Sequence, residues 1–248
     1  MKLRYITCSD PRENLPTASV IDLLKLSPLA ELGVQAHPSA MAQGKPRNIW
    51  FNELLDAVKS SKTPLNIALH VNYGWCDEIC LGHIPDEIQQ FLKHQHPKTN
   101  EPLIRRIQLN IGDCTYVFDA KRLATLIKTW DKYEVILPFN QNIKQKIEQL
   151  KARGAKFNLL FDGSYGAGIA PTNWQVPVYK DIQFGYAGGL SPENVADNLA
   201  KIDTVLPDGY KTWIDAEGRL RDRTGAMDIS LARTYLANAI NWYNRRTK

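Results

Sequence analysis

Ile182-Gln183-Phe184-Gly185-Tyr186-Ala187-Gly188-Gly189-Leu190-Ser191-Pro192-Glu193-Asn194-Val195 reads as one complete structural unit. Residues 182–187 form a short strand-like run. Two glycines then turn the chain. Ser191, Pro192 and Glu193 have the character of an N-cap, a first-turn proline and a first-turn acid, so a helix is expected over 191–202. A strand, a glycine turn and a helix in that order make half of a βαβ crossover.

The same alternation runs through the chain in both directions. Further strands are expected at 3–8, 32–36, 65–71, 104–110, 133–139, 157–162 and 211–215. Helices are expected at about 17–26, 50–60, 84–94, 119–130, 142–153 and 228–245. Asp119 and Asp228 stand where they would cap helices, and Gly154 where it would end one. Residues 165–180 read as a long loop. Eight strands alternating with helices match an α/β protein of the (β/α)₈ TIM-barrel class. An open doubly wound sheet is the rival, but no Gly-x-Gly-x-x-Gly follows the first strand. No linker or low-complexity tract interrupts the pattern, so residues 1–248 are expected to form a single domain.

Composition narrows the functional classes. The chain has 248 residues, 31 Lys+Arg against 26 Asp+Glu, and 44% hydrophobic residues. This is the balance of a globular protein with a full core. A formal charge of +5 is too small for a strongly basic nucleic-acid binder. No apolar run approaches the ~18 residues of a membrane span, and the first strand is too short and interrupted for a signal peptide. Cys8, Cys76, Cys80 and Cys114 are too sparse for a disulfide framework, which suits reduced thiols in the cytoplasm. Cys76, Cys80 and His83 have loose metal-ligand spacing without a fourth partner. Two core cysteines one helical turn apart are the simpler reading.

In a barrel, functional groups gather at the C-terminal ends of strands. That rule selects Cys8, Arg47, Asn72, Asn110, Asp162, Gly188-Gly189 and the run from Asp215 to Arg221. Asp162 ends an apolar strand before the loop Gly163-Ser164-Tyr165-Gly166-Ala167-Gly168, where a carboxylate serves either as a base or as a turn residue. Cys8 taken alone reads as a small buried hydrophobe, although a strand-end thiol can also donate a proton. Gly188 and Gly189 either expose backbone N–H groups to an anion or make a tight turn.

Several of these segments together resemble phosphoribosylanthranilate isomerase, a barrel enzyme of tryptophan biosynthesis. The most specific run is Tyr186 to Val195. Leu159-Leu160-Phe161-Asp162, Gly166-Ala167-Gly168 and Trp174 are similar to that family's sixth strand and following loop. Ile107 to Asn110, Asn66 to Asn72, Pro46-Arg47 and Ile6-Thr7-Cys8 follow the family order elsewhere. The resemblance implies Asp162 as general base, Cys8 as general acid and Arg47 as the holder of a substrate carboxylate. Gly188 and Gly189, with Gly218 and Arg219, would take the phosphate of a small phosphorylated metabolite. The implied reaction is an Amadori rearrangement, an aldose–ketose type isomerisation that uses no metal and no cofactor.

The sequence also departs from that family. Ser9 stands where the family has Gly, and Asn110 where it has His. Ala216-Glu217-Gly218-Arg219-Leu220-Arg221 replaces a Ser-Gly segment that helps hold phosphate. Glu217 beside a phosphate would be repulsive, and Arg219 or Arg221 would have to compensate. Extra residues fall at 38–45, 94–103 and 203–210. A divergent enzyme on another anionic metabolite and a non-catalytic binding barrel therefore stand beside the isomerase reading.

Overall fold

The computed structural model describes residues 1–112, 117–163 and 168–246. Cys114 and the Gly166-Ala167 pair of the glycine loop lie outside them. Eight parallel strands close into a barrel in the order β1 to β8, so the chain is a (β/α)₈ TIM barrel. All eight expected strands form: β1 (Lys2–Ser9), β2 (Ala30–Ala36), β3 (Asn66–Val71), β4 (Ile104–Leu109), β5 (Glu134–Phe139), β6 (Asn158–Asp162), β7 (Phe184–Ala187) and β8 (Lys211–Ala216).

The chain divides into two compact units. The first comprises Met1–Gly33, Thr63–Asn66 and Leu160–Lys248. It holds β1, β7 and β8 with helices α1 (Thr17–Leu24), α8 (Val195–Val205) and α9 (Ile229–Arg246). Helix α9 packs on β1, α1 and α8 through Ala232, Tyr235, Leu236 and Ala239. Its start is capped as the sequence suggests, with the Asp228 carboxylate accepting from the N–H groups of Ser230 and Leu231 at 2.7 and 3.2 Å. Trp213 is fully buried beneath β7. A Cβ at Gly185 would lie 2.0 Å from its ring, so glycine is required there by close packing.

The second unit comprises Val34–Lys62 and Ile67–Leu159. It holds β4, β5, α2 (Pro38–Met41), α3 (Pro46–Lys59), α4 (Tyr73–Cys80), α5 (Asp86–Leu92), α6 (Ala120–Thr129) and α7 (Lys144–Ala152). Asp119 caps α6, accepting from the N–H groups of Lys121 and Arg122. After α7, Gly154 adopts φ 70, its N–H reaches the Lys151 carbonyl, and the Ala155 N–H reaches Leu150. These paired bonds close the helix in a Schellman motif, as the position of Gly154 suggests.

Some boundaries differ from the sequence expectation. Helix α3 begins at Pro46 rather than near residue 50, with proline in its first turn. Helices α2 and α4 were not expected. Helix α8 starts at Val195, because Ser191–Asn194 forms a turn in which the Ser191 N–H donates to Asn194 Oδ1 at 2.9 Å. Cys76 and Cys80 are buried on α4, and His83 lies beyond its end, near Glu78. Among the described residues, no cluster of three metal-ligating side chains occurs, and no helix is long and apolar enough to cross a membrane.

Candidate active site

Which strand residues face the barrel interior follows from Tyr186. Its hydroxyl donates to the Gln175 carbonyl at 2.8 Å, and its ring meets Trp174 edge-on at 5.7 Å. The Trp174 indole N–H in turn donates to Asn198 of α8. Tyr186 therefore points toward the helix layer. Ile214 is its register partner on β8, and Ile6 is the partner of Ile214 on β1. Register partners on parallel strands share a face, and alternate residues along a strand return to it. Ile6, Cys8, Ile214 and Ala216 consequently face the helices. Thr7, Ser9 and Asp215 face the interior, as does Glu31, the partner of Thr7 on β2. The Phe161 ring touches Trp174 and Tyr186. The next residue, half-buried Asp162, ends β6, where strand alternation puts it on the opposite face from Phe161.

This arrangement bears on the role expected of Cys8. Cys8 has no exposed surface. Burial pushes its thiol pKa upward, and the nearby Asp215 carboxylate adds to the rise. A thiol sealed against the helix layer is not placed to protonate a ligand in the barrel mouth. The physical reason is strand alternation, since one residue along β1 reverses the face. Ser9 occupies the inward position at the strand end instead.

Ser9 is paired there. Its hydroxyl donates to Asp215 Oδ1 at 2.6 Å, with both residues buried. One layer deeper, the Thr7 hydroxyl donates to Glu31 Oε1 at 2.7 Å. Each buried carboxylate thus has a charge-assisted hydrogen bond from β1.

The loop after β8 is tied to the end of β1. Arg221 donates to Asp10 at 2.5 Å, to Glu217 at 2.8 Å and to the Gly225 carbonyl at 2.6 Å. Burial works against the Arg221 charge. The hydrogen bonds to Asp10 and Glu217 outweigh it and hold the guanidinium pKa above its ordinary value. Gly218 opens a single 3₁₀ turn, Gly218–Leu220. Arg219 is exposed, and its Nε donates to the Gly168 carbonyl at 2.8 Å. Gly188 and Gly189 have φ of 109 and 63. A Cβ on Gly189 would lie 2.0 Å from the Ala170 backbone nitrogen, so the 169–170 backbone requires glycine at this position.

Arg47 belongs to the second unit. It is buried in the first turn of α3. In the same unit, Gln108 donates to Asn110 at 3.0 Å, Asn110 donates to Asn72, and Asn72 donates to the His70 carbonyl. Arg106 pairs with Glu134 at 3.3 Å. Burial, reinforced by Arg106, draws the His70 pKa down to about 3 and keeps the ring neutral near pH 7.

The barrel resembles solved structures. Phosphoribosyl anthranilate isomerase from Thermus thermophilus matches with a TM-score of 0.58 at 16% identity, over 97% of this chain and 99% of that one. The fold is shared with phosphoribosylanthranilate isomerase. The Thermotoga maritima isomerase matches with a TM-score of 0.57 at 15% identity, over 97% of this chain and all of the other. A glycoside hydrolase family 30 xylanase from Clostridium acetobutylicum also matches, with a TM-score of 0.54 at 11% identity, over 97% and 72% of the two chains. No protein-family model and no curated protein sequence matches. At these identities the likeness to the isomerases establishes the fold.

Beside the residues suggested by isomerase resemblance, the structure adds Ser9, Asp10 and Glu31. The signal for Ser9 is the alternation Ile6-Thr7-Cys8-Ser9, in which apolar and hydroxyl side chains take turns. Glu31 and Asp10 carry no comparable local signal, because only strand register brings Glu31 to Thr7 and only the β8 loop brings Arg221 to Asp10.

Proposed function

We propose that this chain is an isomerase of the Amadori type. It acts on a glycosylamine of anthranilate or a close anionic analogue, with Asp162 as general base. The observation that supports this most is the interior face of the first unit. Asp162 and the Ser9–Asp215 pair both stand at C-terminal strand ends, where barrel enzymes place their chemistry.

Two opposed proton transfers suffice for the reaction. Asp215, which takes up a proton from water as the substrate binds, gives it to the sugar ring oxygen, and the C1′–O bond breaks to leave an iminium. Ser9 holds the carboxyl group in position. Asp162 removes the C2′ proton, neutralising the iminium to an enolamine. Tautomerisation to the ketone then completes an isomerisation without net oxidation or loss of atoms. Residues 1–248 act as one barrel domain.

The assay forms the glycosylamine in situ from anthranilate and follows loss of its fluorescence. Wild type should consume it, and Asp162→Asn should lower kcat/KM by about 100-fold or more. No turnover by wild type, or equal turnover by the variant, would overturn the proposal.

A further inference from the structure

The loops after β7 and β8 commonly bind phosphate in barrels. In this chain several of the groups near those loops are already engaged. The Ser191 N–H donates to Asn194 Oδ1. Arg219 Nε donates to the Gly168 carbonyl. One terminal nitrogen of Arg221 serves both Asp10 and Glu217, and the other serves Gly225. The 169–170 backbone lies close against Gly189 of the glycine turn, 2.0 Å from where a Cβ would stand.

Charge acts in the same direction. Each guanidinium here already faces a carboxylate: Arg221 donates to Asp10 and Glu217, Arg12 Nε lies 3.6 Å from Asp10, and the Arg219 charge acts on Glu193. A dianion would have to compete with those carboxylates, an unfavourable setting. Glu217 is the most telling member, because it heads the turn at Gly218–Leu220 and its side chain is 40% exposed. A phosphate drawn to Arg221 would have to displace that carboxylate or lie beside it.

We infer that Glu217, held by Arg221, is a specificity residue that excludes phosphate, so that the substrate is a glycosylamine carrying a carboxylate but no phosphate. This rests on the isomerase reading for the reaction, but not for phosphate exclusion. It makes the substrate's negative charge that of the aromatic carboxylate alone.

The test has two arms. In the first, glycosylamines are formed in situ from anthranilate with ribose or with ribose 5-phosphate, and kcat/KM is measured for both. Wild type should favour the unphosphorylated compound, and Glu217→Gln should shift the ratio toward the phosphorylated one by about tenfold. In the second, inorganic phosphate is titrated into wild type, Glu217→Gln and Glu217→Ser, each checked for a native unfolding transition. Wild type should show no saturable binding at about 10 mM, and both variants should bind at least about tenfold more tightly. A wild-type preference for the phosphorylated compound would overturn the inference, as would saturable phosphate binding that the substitutions do not strengthen. Wild type inert toward both glycosylamines would overturn the isomerase reading, while the phosphate titration would still decide the role of Glu217.

Discussion

His70 shows how a buried polar residue sets a pH limit. Its ring is neutral in the fold, with a pKa drawn down to about 3 by burial and by Arg106. In the unfolded chain the ring titrates at its ordinary value near 6.5. Between those values the unfolded state binds more protons than the folded one, so stability rises with pH through this window and falls on acidification. The loss attributable to this group should reach a few kcal/mol. Denaturant unfolding at a series of pH values checks it: His70→Gln should show a shallower acid-side slope than wild type. At the same scale, Cys8 and Ser9 are adjacent in sequence but face opposite sides of β1. A strand-end thiol was legible as a candidate. Its orientation was not, because alternation gives two faces and only the packing of Tyr186 against Trp174 says which one meets the helices.

The elements themselves were largely legible. All eight strands, the caps at Asp119 and Asp228 and the Gly154 stop follow from local chemistry. The start of α8 did not, because Ser191-Pro192-Glu193 has every helix-start feature and still forms a turn. There Asn194 folds back, donating to the Gly189 carbonyl and accepting from Ser191. This junction also fixes the role of Gly189. Gly189→Ala should destabilise by roughly 1–3 kcal/mol in urea unfolding, because it meets both a left-handed φ and a backbone clash. Gly209→Ala is the control, since Gly209 has φ 69 with open space around it. It should cost only the smaller conformational penalty. Equal effects at the two sites would show that the close approach of Ala170 does not matter.

At the scale of the molecule, strand–helix alternation was enough to read the barrel. The site was only partly readable, because it depends on register between strands distant in sequence: Glu31 beside Thr7, Ser9 beside Asp215 and Asp10 beside Arg221. The proposal of one domain over residues 1–248 is checked by unfolding. Far- and near-ultraviolet circular dichroism should report one coincident transition, whereas two separated transitions would contradict it. The central claim is that chemistry belongs to the inward face and not to the cysteine. Its most direct test compares kcat/KM for Cys8→Ala and Asp215→Asn on the glycosylamine that wild type consumes best. Cys8→Ala should stay within about threefold of wild type, and Asp215→Asn should fall by about 100-fold or more. A large loss in Cys8→Ala with activity kept in Asp215→Asn would contradict the account.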